Sequence, residues 1–479
     1  GGGDRNQATA NNAIVVGGTL NTASAACSFI GGGDRNVASG ANSSIVNGKL
    51  NTAEADCSFI GGGQGNTISG FYGFFIGGGF SNSLSSQYYS TIAGGVCNKS
   101  TNDCTFIGGG GSNLTSGGVS VVVGGLANTS SAFYSFVGGG YRNVVSGNSS
   151  IVVGGQRNTA SAGCSFIGGG YRNVASGANS SVVGGILNTT SAECSFIGGG
   201  FENLNEGGFS SIVGGIYNTA SSACSFIGGG ASNSISSPYS NKFDIIVGGD
   251  NNTISNAYNS CNSTIVGGKD NSMSNAYGQF RFIGGGCCNC IDAYFSIGVI
   301  VGGKSNTLGG TYEGGFIGGG TSNSVCYSGN IVGGVSNFDC GAHSFIGAGR
   351  DNSISGYSND QSVIVGGCLN TISGAYCKQS FIGGGCMNII RSATHGVIVG
   401  GVLNTGSGYA SSIGGGYNNI NERNFGVIGG GCENTLYGIA SFIGGGDKNY
   451  IEYCSERVSI VGGSYNTASD GSCDSFIGG

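Results

Sequence analysis

Charged residues are scarce in this chain: Asp, Glu, Lys and Arg together make up 8% of it, and the formal net charge is −6. The few Lys and Arg are scattered and form no basic stripe, which argues against a surface that binds nucleic acid or an anionic membrane. No apolar run reaches the ~18 residues that a membrane-spanning helix needs, and no signal peptide is visible. We therefore expect no nucleic-acid partner and no membrane span in this segment.

Tryptophan is absent, Pro238 is the only proline, and His343 and His395 are the only histidines. Both histidines stand alone at variable positions of the sequence, whereas an enzyme needs several non-repeated groups that converge on one site. The sequence therefore predicts no catalytic activity, no catalytic residue and no cofactor.

Glycine, by contrast, fills 104 of 479 positions, and it accompanies an asparagine that recurs about every 15 residues. Each of these asparagines follows two or three glycines and two variable residues. A short period held over the whole sequence is typical of a solenoid, in which each repeat contacts only its neighbours. The asparagines predicted to form a structural ladder include Asn6, Asn21, Asn36, Asn51, Asn66, Asn143, Asn158, Asn173 and Asn188.

Each repeat contains two short runs suited to β-strands, one apolar run before the glycines and one run around Asn-Thr-x-Ser. Runs this short, in a chain this rich in glycine, cannot form helices. The predicted fold is an all-β parallel β-solenoid of about thirty rungs of ~15 residues, with essentially no helix. We expect each ladder asparagine to bond the next one and to occupy a turn with left-handed backbone angles.

Two or three consecutive apolar residues precede the glycines and are predicted to form an apolar seam. Because side chains alternate faces along a strand, these residues place hydrophobic surface on both sides of the sheet. A 15-residue coil encloses only one side, so the other needs a partner. Either several chains with 15-residue turns pack around a common axis, or a 30-residue turn brings two apolar strands together within one chain. Residues of the seam include Phe29, Ile30, Phe59, Ile60, Phe166, Ile167, Phe196 and Ile197.

The 19 cysteines fit an oxidising, extracellular setting better than a cytosolic one. Cys326 and Cys340 lie at equivalent positions of adjacent repeats, and so do Cys368 and Cys386. Adjacent rungs, ~4.8 Å apart, are within the span of a disulfide, whereas the opposite walls of a wide coil are not. These two pairs are therefore predicted inter-rung disulfides, and they favour the 15-residue turn.

Two further groups of cysteines bear on chemistry. A run of cysteines at Cys287-Cys288-Asn289-Cys290 suggests zinc, but successive side chains of an extended run point to opposite faces, and neither a nearby His nor a second pair is present. We therefore predict no metal site. A repeated cysteine directly before Ser-Phe-Ile is expected to be a buried small residue or a link to a neighbouring chain. It occurs at Cys27, Cys57, Cys164, Cys194 and Cys224.

The repeats resemble the YadA-like head repeats of trimeric autotransporter adhesins. Ser28-Phe29-Ile30-Gly31 and Asn36-Val37-Ala38-Ser39-Gly40 look like the two strands of a rung in that family, and the match recurs over the whole chain. The resemblance implies a left-handed parallel β-roll and a trimer. The chain departs from the family in its doubled or tripled glycines, its added asparagine column and its cysteines.

The asparagine spacing lengthens to 17 to 19 residues between Asn233 and Asn323, which predicts longer loops in rungs 233–323. Because the sequence begins and ends inside a repeat, we expect residues 1–479 to be one continuous solenoid, uncapped at both ends and cut from a longer chain.

The function that these patterns predict is a structural fibre or filament shaft at an extracellular, cell or virion surface, with self-association as a homo-oligomer or filament, a trimer included. One alternative is an adhesin head that binds glycans or matrix. A third class is an ice-binding protein with rows of Thr, as at Thr22 and Thr52, but Val37, Val144 and Val174 interrupt the column.

Overall fold

The computed structural model describes residues 2–237, 243–255, 262–274, 280–293, 297–310, 314–356, 360–374 and 377–479. Within these ranges the chain is all-β, and two parallel sheets form a β-solenoid of about 30 turns of ~15 residues, which confirms the predicted fold class. The same ranges contain no helix long and apolar enough to cross a membrane. The chain divides into two compact units, unit 1 (Gly1–Ala231) and unit 2 (Ser232–Gly479).

Each turn contributes one strand to each sheet. The asparagine sheet contains the strand that directly follows each ladder asparagine, such as Thr159–Ala160, and the phenylalanine sheet contains the strand before each glycine corner, such as Phe166–Ile167. A third ladder of single β-bridges passes through the residue after each glycine corner, as at Tyr171. The chain then reaches the next ladder asparagine, Asn173, and the cycle repeats.

The strands of unit 1 are almost all two residues long. The asparagine sheet of unit 1 consists of Gln7–Ala8, Thr22–Ala23, Val37–Ala38, Thr52–Ala53, Thr67–Ile68, Ser83–Leu84, Lys99–Ser100, Leu114–Thr115, Thr129–Ser130, Val144–Val145, Thr159–Ala160, Val174–Ala175, Thr189–Thr190, Leu204–Asn205 and Thr219–Ala220. Its phenylalanine sheet consists of Ile14–Val15, Phe29–Ile30, Ser44–Ile45, Phe59–Ile60, Phe75–Ile76, Thr91–Ile92, Phe106–Ile107, Val121–Val122, Phe136–Val137, Ile151–Val152, Phe166–Ile167, Ser181–Val182, Phe196–Ile197, Ser211–Ile212 and Phe226–Ile227.

Unit 2 has the same two sheets with several longer strands. Its asparagine sheet consists of Ser234–Ile235, Thr253–Ser255, Ser272–Ser274, Cys290–Ala293, Thr307–Gly310, Ser324–Val325, Phe338–Asp339, Ser353–Ser355, Thr371–Ser373, Ile389–Arg391, Thr405–Gly406, Ile420–Asn421, Thr435–Leu436, Tyr450–Ile451 and Thr467–Ala468. Its phenylalanine sheet consists of Ile245–Ile246, Thr264–Ile265, Phe282–Ile283, Gly298–Ile300, Gly315–Ile317, Asn330–Ile331, Phe345–Ile346, Val363–Ile364, Phe381–Ile382, Val397–Ile398, Ser412–Ile413, Val427–Ile428, Phe442–Ile443, Ser459–Ile460 and Phe476–Ile477.

The strand register fixes the length of a turn. In unit 1, Thr159 pairs with Val174 and Phe166 pairs with Ser181, one repeat further along the chain and in parallel orientation. A turn therefore takes one repeat of ~15 residues, not two. In unit 2, Thr253 pairs with Ser272, so this turn is longer. The longer loops predicted in rungs 233–323 fall largely on residues 238–242, 256–261, 275–279, 294–296 and 311–313, which lie outside the described residues.

The core of each unit is a narrow column inside the coil. In the two-residue strands the second residue points inward, so that Ala160 of one sheet and Ile167 of the other are fully buried. Burying an Ile side chain completely contributes about 1.5–3 kcal/mol, and the column repeats this contribution turn after turn. The first residue of these strands points outward, as does Phe166, which is half-buried.

Candidate functional site

The ladder asparagines join successive turns at the glycine corner, where they are buried except at the two ends, where Asn6 and Asn466 are half-buried. The backbone N–H of Asn173 donates to Oδ1 of Asn158 at 2.9 Å. The Nδ2 of Asn173 donates to the carbonyl oxygen of Gly169 at 2.8 Å and to that of Gly185, in the following turn, at 2.9 Å. Each amide therefore satisfies backbone groups of its own turn and of the next one, which stabilises the stack because such groups are costly to leave unpaired.

Left-handed backbone angles were expected at the ladder asparagines, and this expectation is wrong. The residue before each asparagine adopts them instead, as at Arg172, whose φ is 54°. Arg172 is exposed, whereas Asn173 is buried. The corner thus turns one side chain outward to solvent, which leaves the next residue free to direct its amide into the stack.

The predicted apolar seam divides between the inside and the outside of the coil. Ile30, Ile60, Ile167 and Ile197 are fully buried inside. Their neighbours Phe29, Phe59, Phe166 and Phe196 point outward and are half-buried. The outward phenylalanines belong to a surface that we call the Phe/Val face. It consists of two columns: the outward first residue of each phenylalanine-sheet strand, such as Phe166, and the residue directly after the strand, such as Gly168.

The Phe/Val face of unit 1 has two columns, and in most turns a large residue in one column stands beside a small residue in the other. The Phe166 ring lies over Gly168, where a Cβ would be 3.6 Å from its Cε1 atom. One turn later the order is reversed, with Ser181 in the first column and Val183 in the second. Between these two turns the large side chain therefore moves from the first column to the second.

Apart from serine and threonine residues, as at Ser181, this face of unit 1 is apolar. In the described part of unit 1 it carries no Asp, Glu, Lys or Arg, and Val183 and Val213 remain 49% and 50% exposed. About fifteen turns at ~4.8 Å, with two columns ~7 Å apart, give a strip of about 500 Å². A strip of this size is at the upper end of the apolar patches that monomeric proteins expose, and such patches often mark interaction sites.

The opposite outer face, on the asparagine sheet, alternates in chemistry. Thr22 pairs with Val37, and Val37 pairs with Thr52, so that threonine and valine follow one another along the column. The rows of Thr on which the ice-binding alternative depends are interrupted in this register.

Two predicted disulfide pairs have different outcomes. Cys326 and Cys340, on successive turns of unit 2, form a disulfide with a Cα–Cα distance of 4.7 Å. Cys368 and Cys386 occupy successive positions of the third ladder but carry free thiols. Nη2 of Arg350 donates to Sγ of Cys368 at 3.4 Å, which gives this sulfur a polar partner.

The cysteines before Ser-Phe-Ile are not buried, so the first of the two expectations for them is wrong, while a link to a neighbouring chain stays a prediction. Cys27, Cys164 and Cys194 are exposed, and Cys57 and Cys224 are half-buried. Each occupies a left-handed corner, with φ values between 53° and 56°. This conformation directs the side chain away from the coil, as it does at Arg172.

Cys287 and Cys288 also lie differently from the prediction. Their Sγ atoms are 2.8 Å apart, so the two side chains point to the same side. The expectation of opposite faces holds for extended backbone, but Cys288 has a φ of 60°. The repeat itself contained the signal, because Cys288 stands in the position directly before a ladder asparagine, Asn289.

A buried carboxylate in unit 2 was missed by the sequence reasoning. Asp339 occupies an inward strand position that other turns fill with Ala or Ile, and it is fully buried. Its carboxylate accepts hydrogen bonds from the backbone N–H groups of Asn330 (3.1 Å) and Gly341 (3.2 Å) and from the hydroxyl of Ser344. Burial raises the pKa of Asp339 to about 6, although these hydrogen bonds oppose the rise. An acidic residue at an inward position was the available signal.

Asp339 predicts a pH dependence of stability. Its pKa of about 6 in the folded protein exceeds the ~3.9 of an unfolded Asp, so the folded state binds more protons between these values and loses stability as pH rises from 4 to 6. We expect the wild type to lose up to about 3 kcal/mol of stability between pH 4 and pH 7.5, and Asp339→Asn, whose amide does not titrate, to lack this loss. Denaturant titrations of both proteins across this range measure the difference, and parallel pH profiles would contradict the assignment.

Unit 1 also has an exposed cluster of aromatic side chains in two successive turns. It lies at the polar corner, the segment of a turn between its asparagine-sheet strand and its phenylalanine-sheet strand. This aromatic corner consists of Phe71, Tyr72, Tyr88 and Tyr89, of which Phe71 and Tyr89 are 71% and 60% exposed. The rings of Tyr72 and Tyr89 meet edge to face with centroids 6.0 Å apart. Ring faces presented to solvent in this way offer stacking surfaces for a ligand.

The stacked coils agree with the repeat architecture that the resemblance to YadA-like repeats implies. A scan against models of protein families finds no match for this chain, and a search of curated proteins finds none either.

Proposed function

We propose that this chain is a structural fibre shaft whose copies associate through the Phe/Val face. The observation that carries the proposal is the uncharged apolar strip along the phenylalanine sheet of unit 1. Its continuity over successive turns suits a lengthwise contact better than a compact ligand. The proposal needs no catalytic group and no cofactor.

A second copy of this chain is the partner that fits the face. The two columns exchange large and small residues between several turns, so a matching surface must repeat with the same spacing along the same axis. Another copy has this repeat because its sequence is the same, and outward Phe and Val side chains of two copies can interdigitate. Homo-oligomers use self-complementary surfaces of this kind.

The ladders supply the mechanical part of the function. Each turn is joined to the next by parallel strand pairs, by the single bridges of the third ladder and by the buried asparagines. Stacked backbone and amide ladders produce stiff, protease-resistant assemblies in other repeated β-structures. The Cys326–Cys340 disulfide supports a location in an oxidising compartment, at an extracellular, cell or virion surface.

Charges placed on the Phe/Val face are expected to dissociate the copies. In the double variant Val183→Glu with Val213→Glu, association would bury two unpaired carboxylates, each costing several kcal/mol. We expect association to weaken by about 100-fold or more, measured as a shift from oligomer to monomer in sedimentation equilibrium. The double variant Val144→Glu with Val174→Glu is the matched control, because these valines point outward from the asparagine sheet.

A comparison of the two double variants distinguishes a loss of association from general damage to the fold. Only the Phe/Val face pair should dissociate the oligomer, while circular dichroism shows intact β-structure in both. A wild-type chain that sediments as a monomer at ~10 μM, a concentration at which a stable assembly persists, would overturn the proposed association.

An adhesin head is the second candidate, and the aromatic corner is the observation that favours it. Tyrosine rings stack on the apolar faces of sugar rings, and loops on a rigid scaffold often carry binding sites. A glycan array would identify such a ligand. Binding that is lost in Tyr72→Ala with Tyr89→Ala, but kept in the Phe/Val face variants, would assign adhesion to this corner.

A further inference from the structure

Three side chains with metal-binding atoms meet at a glycine corner of unit 2. The carboxylate of Asp270 and the thiols of Cys287 and Cys288 lie with their ligating atoms within 4.8 Å of one another. Asp270 belongs to one turn and the two cysteines belong to the next. Cys288 is exposed and the other two are half-buried, so an ion in solution can reach them.

The backbone around the two thiols is fixed by the ladders. The N–H of Cys287 donates to Gly303 O in the next turn at 2.9 Å, and the N–H of Cys288 donates to Lys269 O in the previous turn at 2.9 Å. Cys287 is also bridged to Lys269 and to Lys304. The sulfur atoms are therefore brought together by a rigid part of the coil, which reduces the entropy lost when they bind an ion.

Asp270 is oriented by a neighbour in the preceding turn. Nδ2 of Asn251 donates to its Oδ1 at 2.7 Å, and the backbone N–H of Asp270 donates to Asp250 O at 2.9 Å. One carboxylate oxygen is thus held in place, and the other remains available to an ion. Hydrogen bonds of this kind to a ligating group typically strengthen metal sites.

The charges around the corner favour a cation once the thiols ionise. Lys269 is paired with Asp250, with Nζ and Oδ2 3.2 Å apart. Two thiolates and a carboxylate would repel one another, and a divalent cation between them removes that repulsion.

We propose that Asp270, Cys287 and Cys288 form a binding site for a thiophilic divalent cation such as Zn²⁺ or Cd²⁺. Two thiolates and one carboxylate supply three ligands of a tetrahedral ion, and a water molecule completes the set. With Zn–S bonds of ~2.3 Å, tetrahedral geometry separates the sulfurs by ~3.7 Å, so they must move apart by about 1 Å. Binding replaces the two thiol protons, which pass to solvent.

Cadmium is the probe that tests this site, because thiolate ligands give it a charge-transfer absorption in the ultraviolet. The full chain, kept reduced with a phosphine, is titrated with Cd²⁺ at neutral pH. We expect the tightest binding step to take up one ion per chain, to weaken as pH falls and to disappear in Cys288→Ser. Asn251→Ala removes the hydrogen bond that orients Asp270 and leaves all three ligands in place. We expect it to weaken this binding step by about 10- to 100-fold.

Cys432→Ser is the matched control, since Cys432 occupies the same position of the third ladder as Cys287 but is followed by Glu433. It should keep the tightest step unchanged. If Cys288→Ser and the double variant Cys287→Ser with Cys288→Ser bind Cd²⁺ as tightly as wild type does, the proposed site is wrong. The proposed site is also wrong if Cys432→Ser loses the tightest Cd²⁺-binding step to the same extent as Cys288→Ser does. Because these positions are on the surface, circular dichroism should show the fold intact in every variant.

Discussion

Replacing Gly170 by alanine should open unit 1 around one glycine corner and lower the local free energy of unfolding by about 5 kcal/mol. Gly170 has a φ of 92°, which L-residues rarely adopt. A Cβ at this position would overlap the carbonyl oxygen of Gly185 in the next turn and lie 3.0 Å from its nitrogen. Both contacts are with backbone, so no side-chain rotation relieves them, and the neighbouring turn must move away.

Gly169 provides a control one residue away. A Cβ there would meet nothing within 4 Å, so Gly169→Ala should change stability by no more than about 0.5 kcal/mol. Hydrogen exchange of peptides covering residues 155–200 measures the effect locally, which is preferable because long repeat arrays do not always unfold in two states. Protection should fall by about four-thousandfold in the Gly170 variant. Equal protection in the two variants would show that the corner tolerates a side chain.

The repeat in the sequence predicted much of the fold but not the length of a turn. The spacing of the asparagines predicted the parallel coil, the two strands of a turn and the inward and outward sides of the strands. It left open whether a turn takes one repeat or two. That question depends on the partner of each strand, and the register of Thr159 with Val174 answers it.

Side-chain direction at the corners was harder to predict from sequence. A two-residue period describes extended backbone, but the residue before each ladder asparagine is left-handed, as at Arg172 and Cys288. This one conformational change turns Cys288 towards Cys287. The same conformation at the polar corner exposes Cys164, which the sequence analysis expected to be buried or linked.

Asp339 was missed for a different reason. Asp339 stands at an inward position of a strand, but the repeat predicts only what most turns share. The partners that make this burial tolerable are a backbone N–H, that of Asn330, and the hydroxyl of Ser344, the serine that precedes Phe-Ile in many repeats. Such local compensation becomes visible only when neighbouring turns are placed together.

Loss of a single ladder amide should weaken its own turn and the contact of that turn with the next one. In Asn188→Ala, the backbone N–H of Asn203 loses its acceptor, Oδ1 of Asn188, which lies 3.0 Å away. The carbonyl of Gly184 loses the donor Nδ2 of Asn188, also at 3.0 Å. Because Asn188 is fully buried, water does not replace these bonds. At about 1–3 kcal/mol for each orphaned group, we expect a local loss of about 3–5 kcal/mol.

The carbonyl of Gly200 shows why this loss should stay below that of the Gly170 variant. It accepts a bond from Nδ2 of Asn188, but it also accepts the backbone N–H of Ile186 at 2.9 Å, which remains in the variant. The control is Asn148→Ala, since Asn148 is exposed and its side-chain Oδ1 accepts a longer bond, 3.2 Å from the N–H of Phe133. Hydrogen exchange should show lost protection on both sides of residue 188 and little change around residue 148. If protection around residue 188 persists, the backbone ladders alone hold the turns together, and the asparagines specify the shape of the corner without stabilising the shaft.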